Sequence, residues 1–299
     1  MKSQQLGSIL IQKVSEFDSM LTPASVAFPD LTAEEIARVK RWFDDPRLTN
    51  DPAAAQLALS FHSFVVRTGK RTILIDTCNG NHKQRPPAIA MVHMLDRPDY
   101  MNNLARLGLS VADIDMVLCT HLHFDHVGWN TRLQDGRWVP TFPNAKYLFT
   151  RKDFEHFERT CLEEPVHGSA FIDSVLPVMA AGQAQLVDEN HAMQFELGEG
   201  VWFEASPGHS AGSVVIHARS AGAHAVFSGD VMHHPLQLVR PSLFFPMADA
   251  DVALATQTRK RLIETYADTD TLICPAHFVE PTIGRIESDG DAFKMNFIV

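Results

Sequence analysis

The sequence predicts an α/β fold in which sheets and helices pack as the layers of a sandwich. Short apolar strands recur in both halves of the chain, and segments with helical periodicity separate them. No repeat, low-complexity tract or Gly/Ser-rich linker interrupts the 299 residues. We therefore expect a single domain over residues 1–299, in which residues 1–59 form an N-terminal extension. That extension contains a helix and could either cover a site or mediate dimerisation.

Sequence signals in the N-terminal half predict four strands and two helices. Thr32 followed by Glu35 is a capping box, which predicts a helix that ends before Pro46. The turn Thr68-Gly69-Lys70 joins two apolar runs as a hairpin. A later, nearly unbroken apolar run predicts a strand that is buried on both faces. In order, we expect strand 7–14, the helix after Thr32, strands 60–67 and 72–76, helix 100–107 and strand 114–119.

The C-terminal half is expected to return to short strands after a helical middle region. Residues 236–247 contain two prolines and are interpreted as a long loop. The remaining expected elements are a helical region over 151–182, strands 201–205, 213–218 and 223–228, a long helix over 252–266 and strand 271–274.

Composition and charge exclude several classes of protein. A net charge of −10 disfavours nucleic-acid binding, and Arg259-Lys260-Arg261 is interpreted as the solvated face of a helix. Cys119 and Cys274 end apolar runs, so we expect them to be buried as small hydrophobic residues rather than paired. No run approaches the ~18 apolar residues of a membrane span. The sequence predicts a cytoplasmic protein with no nucleic-acid or membrane partner.

Histidine and aspartate concentrate in four short blocks, each next to a predicted strand end. Three histidines and an aspartate within six residues have no common structural use, although a lone histidine or aspartate usually has one. Together the blocks supply five imidazoles and two carboxylates, which suits two metal ions that share a bridging hydroxide. Zn²⁺ is expected, with Mn, Fe or Co possible. The blocks are His121-Leu122-His123-Phe124-Asp125-His126, His209 after Pro207-Gly208, Asp230 after Ser228-Gly229, and His277 after Pro275-Ala276.

These blocks resemble the signature of the metallo-β-lactamase superfamily, over roughly residues 60–281. The resemblance implies a four-layer αββα sandwich with a dinuclear site at the sheet edges. It also implies that Asp76, in Leu74-Ile75-Asp76-Thr77, orients a ligand histidine. The implied ligands are His121, His123 and His209 for the first metal and Asp125, His126 and His277 for the second, with Asp230 as the bridge.

The same residues narrow the branch of the superfamily. True metallo-β-lactamases mostly lack a carboxylate at Asp230, and flavin-linked diiron members typically carry Glu at the position of His123. What remains resembles lactonases and methyl-parathion-hydrolase-like enzymes. We predict a metal-dependent hydrolase that opens a lactone or cleaves a related carboxylic ester, with Asp125 and Asp230 as catalytic residues and Asp125 as the proton carrier. The alternatives are a phosphotriester (organophosphate) hydrolase, a glyoxalase II-like thioesterase and a catalytically idle metal-binding module.

A substrate pocket is predicted from aromatic residues near the ligands. Many acyl-homoserine lactonases carry a Tyr three residues after the bridging Asp, where this chain has His233. His233 either takes the place of that tyrosine or simply packs. The expected partner is a small apolar ester or lactone, and a homodimer is possible. The predicted pocket residues, for each of which core packing is the alternative, are Phe124, Trp129, His233, Phe244 and Phe245.

Overall fold

The computed structural model describes residues 3–193, 200–246 and 248–298. Within these ranges, two seven-stranded sheets form the body of the fold. In spatial order, the first sheet contains β1 (Ser3–Leu6), β2 (Ile9–Pro23), β3 (Gln56–Arg67), β4 (Thr72–Ile75), β5 (Met116–Leu118), β8 (Lys146–Thr150) and β9 (Ala184–Val187). The second contains β10 (Ala192–Met193), β11 (Val201–Ala205), β12 (Val214–Ser220), β13 (Ala223–Gly229), β14 (Leu272–Pro275), β15 (Gly284–Asp289) and β16 (Ala292–Phe297). A separate hairpin pairs β6 (Thr131–Gln134) with β7 (Arg137–Pro140).

Helices connect the strands and cover the outer faces of the sheets. The α-helices are α1 (Ala24–Ala27), α2 (Ala33–Val39), α3 (Asp99–Arg106), α4 (Phe124–Val127), α5 (Arg151–Thr160), α6 (Pro165–Ala170), α7 (Leu176–Ala180), α8 (Leu236–Val239) and α9 (Val252–Tyr266). Short 3-10 turns lie at Pro87–Val92, Val111–Asp113 and Gly128–Asn130, and a π-helical turn at Phe171–Val175. None of the helices in the described ranges is long and apolar enough to cross a membrane.

Alternation of side chains along the strands builds the four layers. In β3, Phe64 packs between the two sheets, whereas the adjacent Val65 packs outward in a cluster that includes Tyr100 of α3. In β13, Phe227 points to the same inner layer, whereas Val226 packs outward with Ile263 of α9. Both sheets are therefore covered on both faces, which confirms the predicted αββα sandwich.

The topology brings the ends of several strands to one edge. Strands β4 and β5 run parallel in the first sheet, as do β13 and β14 in the second. Strand β11 points the same way as β13, because each is antiparallel to β12. The predicted ligand blocks follow the carboxyl ends of β5, β11, β13 and β14, so all of them lie at this edge.

Several local predictions are confirmed. Both bonds of the capping box form: Thr32 N donates to Glu35 Oε2 at 2.8 Å, and Glu35 N donates to Thr32 Oγ1 at 3.3 Å. The hairpin of β3 and β4 closes with Arg67 opposite Thr72. Helix α9 and strand β11 have the bounds that the sequence predicts. Cys119 and Cys274 are buried and unpaired.

Other local predictions need correction. Gly7 does not begin a strand but turns the chain between β1 and β2, with a φ of +58° that favours glycine, and β2 then continues to Pro23. The predicted loop over 236–247 begins with α8, while Met247 lies outside the described residues. The hairpins β6–β7 and β15–β16 and the strand β8 were not predicted from the sequence.

A buried lysine gives the fold a testable pH dependence. Lys83 Nζ donates to Thr131 Oγ1 at 2.6 Å and lies 3.5 Å from Asp173 Oδ1, and burial lowers the pKa of Lys83 to about 7. Between pH 7 and pH 10 the unfolded chain therefore holds a proton that the folded chain has lost, so this group makes stability rise with pH. Relative to Lys83→Met, the free energy of unfolding of the parent protein should rise by up to about 1.4 kcal/mol per pH unit. Chemical denaturation at several pH values measures this difference, and a pH-independent difference would contradict the assignment.

Candidate metal centre

Seven histidine and aspartate side chains meet at the edge where the strands end. His121, His123 and His209 form one group, in which the potential ligand atoms lie within 4.8 Å of one another. Asp125, His126, Asp230 and His277 form a second group by the same measure. Six of the seven residues are buried, and Asp125 is half-buried. The structure thus brings together all seven residues that the sequence predicts as ligands.

The first block owes its geometry to a change from strand to helix. The chain leaves β5 at Leu118, bends at Thr120 and is extended at His123, which is the N-cap of α4. The rings of His121 and His123 lie in the same group, with centroids 4.5 Å apart. Asp125 and His126 occupy the first turn of α4 and face the second group. Gly128 is the C-cap of α4. Glycine is required there, because a Cβ would lie 1.8 Å from the Asn79 carbonyl oxygen.

Asp230 lies between the two groups and presents an oxygen to each. Its Oδ2 is 3.2 Å from His209 Nε2 and 3.8 Å from His121 Nε2. Its Oδ1 is 3.1 Å from both His126 Nε2 and His277 Nε2. A carboxylate with one oxygen toward each group has the geometry of a bridging ligand.

Hydrogen bonds to the outer ring nitrogens hold the histidines in place. In four of them Nε2 faces the centre and Nδ1 faces an acceptor, which sets the tautomer a metal ligand needs. Asp76 therefore holds His126, the role that the family resemblance implies. The pairs are His121 Nδ1 with Thr120 Oγ1 (3.0 Å), His126 Nδ1 with Asp76 Oδ2 (2.9 Å), His209 Nδ1 with Asp249 Oδ1 (3.0 Å) and His277 Nδ1 with the Ser60 carbonyl (3.1 Å).

Substitution of Asp76 tests this support. Asp76→Asn replaces a charged acceptor by a neutral amide, so metal affinity should fall by about 10- to 100-fold. Competition with a chelator measures the change. Asp135→Asn is the matched control, since Asp135 is exposed and has a φ of +51°, close to the +57° of Asp76. Equal metal affinity in the two variants would show that Asp76 does not tune the centre.

The site has a strong electrostatic bias toward bound positive charge. Burial opposes ionisation of Asp230, but the facing imidazoles of His126, His277 and His209 outweigh it and hold the pKa of Asp230 well below its usual value. Burial likewise disfavours charge on His209, but Asp230 and Asp249 raise the pKa of His209 to about 9. A metal ion that binds here must displace such protons, so metal affinity should decrease as pH falls.

Two buried atoms in the centre show that a cation fits. His126 Nε2 and Asp230 Oδ1 lie 3.1 Å apart, yet neither has a hydrogen-bond partner among the described residues. Unpaired polar atoms are costly to bury, and a bound cation would satisfy both. Imidazole nitrogen and carboxylate oxygen are ligands that suit Zn²⁺ and other first-row divalent ions.

The residues that hold these loops together were not predicted from the sequence. Asp153 is buried and accepts from Leu122 N, Ser210 Oγ and Gly212 N, so it ties the first block to the His209 turn. Its position in the first turn of a predicted helix gave only a weak signal, because acidic residues are common there.

The burial of Arg259 shows that the prediction of a solvated basic face was wrong for this residue. Its guanidinium is fully buried, donates to the carbonyls of Val231 and Leu243, and lies 3.5 Å from Asp249 Oδ2. Asp249 in turn holds His209, so the buried charge supports a ligand. The sequence offers no signal for this pair, since the basic triplet on a helix equally suits a solvent-facing surface.

A cavity of about 240 Å³ opens over the two groups. Of the predicted pocket residues, Phe124, Phe245 and His233 line it. Trp129 does not: it is a core residue that stacks on Tyr100 at 5.5 Å and donates from Nε1 to Glu16 Oε1 at 2.7 Å. Phe244 is likewise not among the described residues that line the cavity.

The rest of the cavity wall is apolar. The N-terminal region contributes Met20 and Val26, and the 3-10 turn at Pro87–Val92 contributes Ile89 and Met91. Among the described lining residues there is no lysine or arginine. The polar lining consists of five of the candidate metal ligands (His123, Asp125, His209, Asp230 and His277) together with Thr22, His167 and His233.

The αββα sandwich carries two groups of His and Asp side chains at one edge of its sheets. The family model for the metallo-beta-lactamase superfamily matches residues 61–277, and the chain belongs to this superfamily.

Two solved structures share this fold. A solved structure of "hydrolase AbOPH in beta lactamase superfamily" is 22% identical, with a TM-score of 0.78, and the match covers 99% of this chain and 97% of that one. The structure of AidC, described as a dizinc quorum-quenching lactonase with a bound product, is 18% identical, with a TM-score of 0.76, and the match covers 100% of this chain and 97% of that one. These likenesses establish the fold.

Curated relatives are longer proteins. A ribonuclease of Thermus thermophilus is 24% identical over 170 residues, which cover 54% of this chain and 36% of that protein. A cytochrome P450 monooxygenase of Penicillium brevicompactum is 23% identical over 224 residues, which cover 65% of this chain and 24% of that protein. The chain thus spans about a third or less of the curated relatives that it matches.

Proposed function

We propose that this protein hydrolyses a lactone or a related carboxylic ester at a pair of divalent ions, most simply Zn²⁺. His121, His123 and His209 would hold one ion, Asp125, His126 and His277 the other, and Asp230 would bridge them. When bound, such ions activate water near neutral pH and polarise the carbonyl group. The metal identity is part of the proposal and is tested by metal analysis of the purified protein.

One observation carries the choice of substrate: apart from its histidines, Asp125, Asp230 and Thr22, the described wall of the cavity over the metal groups is apolar, and it contains no lysine or arginine. A neutral ester with an apolar chain can bury its chain there, at about 25 cal/mol per Å² of apolar surface. A thioester with a carboxylate-bearing carrier would instead bury negative charge without a lysine or arginine partner in the described wall, which is costly. We therefore favour a small apolar ester or lactone over the glyoxalase II-like alternative.

Asp125 is the residue that we propose to move the proton. It is half-buried, it lines the cavity, and its Oδ2 lies 3.6 Å from His277 Nε2. A carboxylate oxygen of Asp125 would take the proton of the attacking water and return it to the departing alkoxide oxygen. Proton transfer by a positioned side chain of this kind contributes about 10²- to 10⁴-fold to rates.

His233 is proposed to orient the substrate carbonyl. It is buried in the cavity wall, its Nε2 lies 3.3 Å from Asp230 Oδ2, and neither ring nitrogen has a hydrogen-bond partner among the described residues. Burial lowers the pKa of His233, so the ring is neutral and keeps one N–H to donate. These observations support the interpretation that His233 has the role of the tyrosine that many lactonases carry at that position.

A panel of neutral substrates tests the proposal. Metal-loaded protein should show a higher kcat/KM for an alkyl-substituted γ-butyrolactone than for a dialkyl aryl phosphate or a glutathione thioester. Faster turnover of the phosphate would assign the protein as an organophosphate hydrolase on the same site. Failure to turn over any of the three, with both ions bound, would mean an idle metal-binding module.

A further inference from the structure

A second cavity, of about 250 Å³, lies beside the first ligand group. His123 and His167 line both cavities, which therefore adjoin at these two rings. More than half of the residues that line the second cavity are polar, and no lysine or arginine is among the described ones. A hydrated cation finds polar contacts there that the apolar wall of the first cavity does not offer. The polar lining residues are His123, His156, Glu164, His167, Ser210 and Asp249.

Three of these side chains form a line from the surface to the first ligand group. The side chain of Glu164 is 40% exposed and that of His167 is 10% exposed, whereas His123 is buried. The Oε1 atom of Glu164 lies 3.8 Å from Nε2 of His167. The ring of His167 in turn stacks on His123, with a centroid separation of 3.6 Å and an interplanar angle of 20°. Solvent is thus connected to a candidate metal ligand through a carboxylate and an imidazole.

The contact between Glu164 and His167 is too long for a hydrogen bond but suits a shared cation. Protein hydrogen bonds between nitrogen and oxygen span about 2.7–3.2 Å. Two ligand atoms that each lie about 2.0–2.2 Å from one Zn²⁺ can be 3.8 Å apart. The Nδ1 atom of His167 has no hydrogen-bond partner among the described residues, which is unusual for a buried imidazole. With the proton on Nδ1, the Nε2 atom presents a lone pair to an ion.

The charge of Glu164 favours capture of a cation at the entrance of this cavity. Among the described residues, no lysine or arginine pairs with Glu164. Asp249, the other carboxylate in the wall, is 3.0 Å from His209 Nδ1 and 3.5 Å from Arg259 Nη2, so its charge is already paired. A cleft lined by one sign of charge concentrates counter-ions and raises their rate of association. The negative charge that an incoming ion first meets is therefore that of Glu164.

We propose that divalent ions reach and leave the first ligand group through this second cavity, with Glu164 and His167 as transient ligands on the way to His123. Two protein ligands hold an ion weakly, since lasting zinc sites use three or four, so the pair passes the ion on. This inference rests on the metal binding in the proposed function but not on the ester substrate. Ion exchange then does not require an empty substrate cavity.

The rates of Co²⁺ uptake and release give the test. The full-length protein is stripped of metal with a chelator and mixed with Co²⁺ in a stopped-flow instrument, and the visible absorption of the bound ion is followed. Release is measured by mixing the loaded protein with excess EDTA. The test variant is Glu164→Gln, and Glu163→Gln is the matched control, because it removes the same charge from the adjacent, exposed position.

We expect Glu164→Gln to lower the second-order rate constant of uptake about three- to tenfold. Release should slow by the same factor, because a residue on the path lowers the barrier in both directions, so the affinity for Co²⁺ stays the same. Uptake by the parent protein should also fall more steeply with ionic strength than uptake by Glu164→Gln. Equal uptake rates in Glu164→Gln and Glu163→Gln would overturn the proposal. Unchanged uptake with faster release would overturn it too, since Glu164 would then only stabilise the bound ion from a distance.

A second variant tests the inner step of the path. His167→Phe keeps an aromatic ring against His123 but removes both nitrogens, so uptake and release should slow together. Faster release with a lower affinity for Co²⁺ would instead make His167 a support of His123 and contradict its role as a transient ligand. If the parent protein binds no Co²⁺ at equilibrium, the metal centre itself is refuted. If the parent and all variants bind Co²⁺ at the same rates, only the path is refuted.

Discussion

Asp230→Asn should reduce bound metal from two ions toward one and lower kcat/KM for a lactone by at least about 100-fold. Even substitution of a residue that only orients a metal ligand costs about 10- to 100-fold, and Asp230 contacts both groups. Its two oxygens lie within 3.2 Å of His209, His126 and His277. An amide offers one weaker oxygen donor and no negative charge, so it cannot serve both ions equally.

Metal analysis of the dialysed protein and steady-state kinetics measure these two effects together. Asp44→Asn is a suitable control, because Asp44 is exposed and its substitution removes the same charge from the chain. Unchanged metal content and rate in Asp230→Asn would remove Asp230 from the bridge.

Asp125→Asn should lower kcat by about 10²- to 10⁴-fold, because it removes the proposed proton carrier. The loss should be larger for an ester with an alkyl leaving group than for one with an aryl leaving group, since an aryloxide departs without a proton. Kinetics with such a pair of esters, alongside metal analysis, separate proton transfer from metal binding. Equal losses for both leaving groups would assign Asp125 to metal binding alone.

Local sequence patterns predicted much of the fold and all seven residues that meet at the centre. His121, His123, Asp125 and His126 are adjacent in sequence, so their proximity requires no knowledge of the fold. His209, Asp230 and His277 were found because each follows a strand, and strand ends meet at one edge of the sandwich. The capping box at Thr32 was predictable because both of its hydrogen bonds lie within four residues.

Predictions failed where burial depends on distant partners. Trp129 follows the first ligand block, but its indole N–H pairs with Glu16, more than a hundred positions away, and this draws it into the core. Arg259 is buried because it pairs with Asp249 and donates hydrogen bonds to the carbonyls of Val231 and Leu243. His167 drew no attention in the sequence, because only the folded chain places it against His123. None of these pairings leaves a periodic or spacing pattern.

The pair of cations is best tested by anomalous X-ray diffraction from crystals of the metal-loaded protein, at the absorption edge of the bound element. We predict two peaks about 3.5–4 Å apart, one bounded by His121, His123 and His209 and the other by Asp125, His126 and His277, with Asp230 between them. A single peak in the presence of excess metal, or a second peak that Asp230 does not contact, would contradict the assignment.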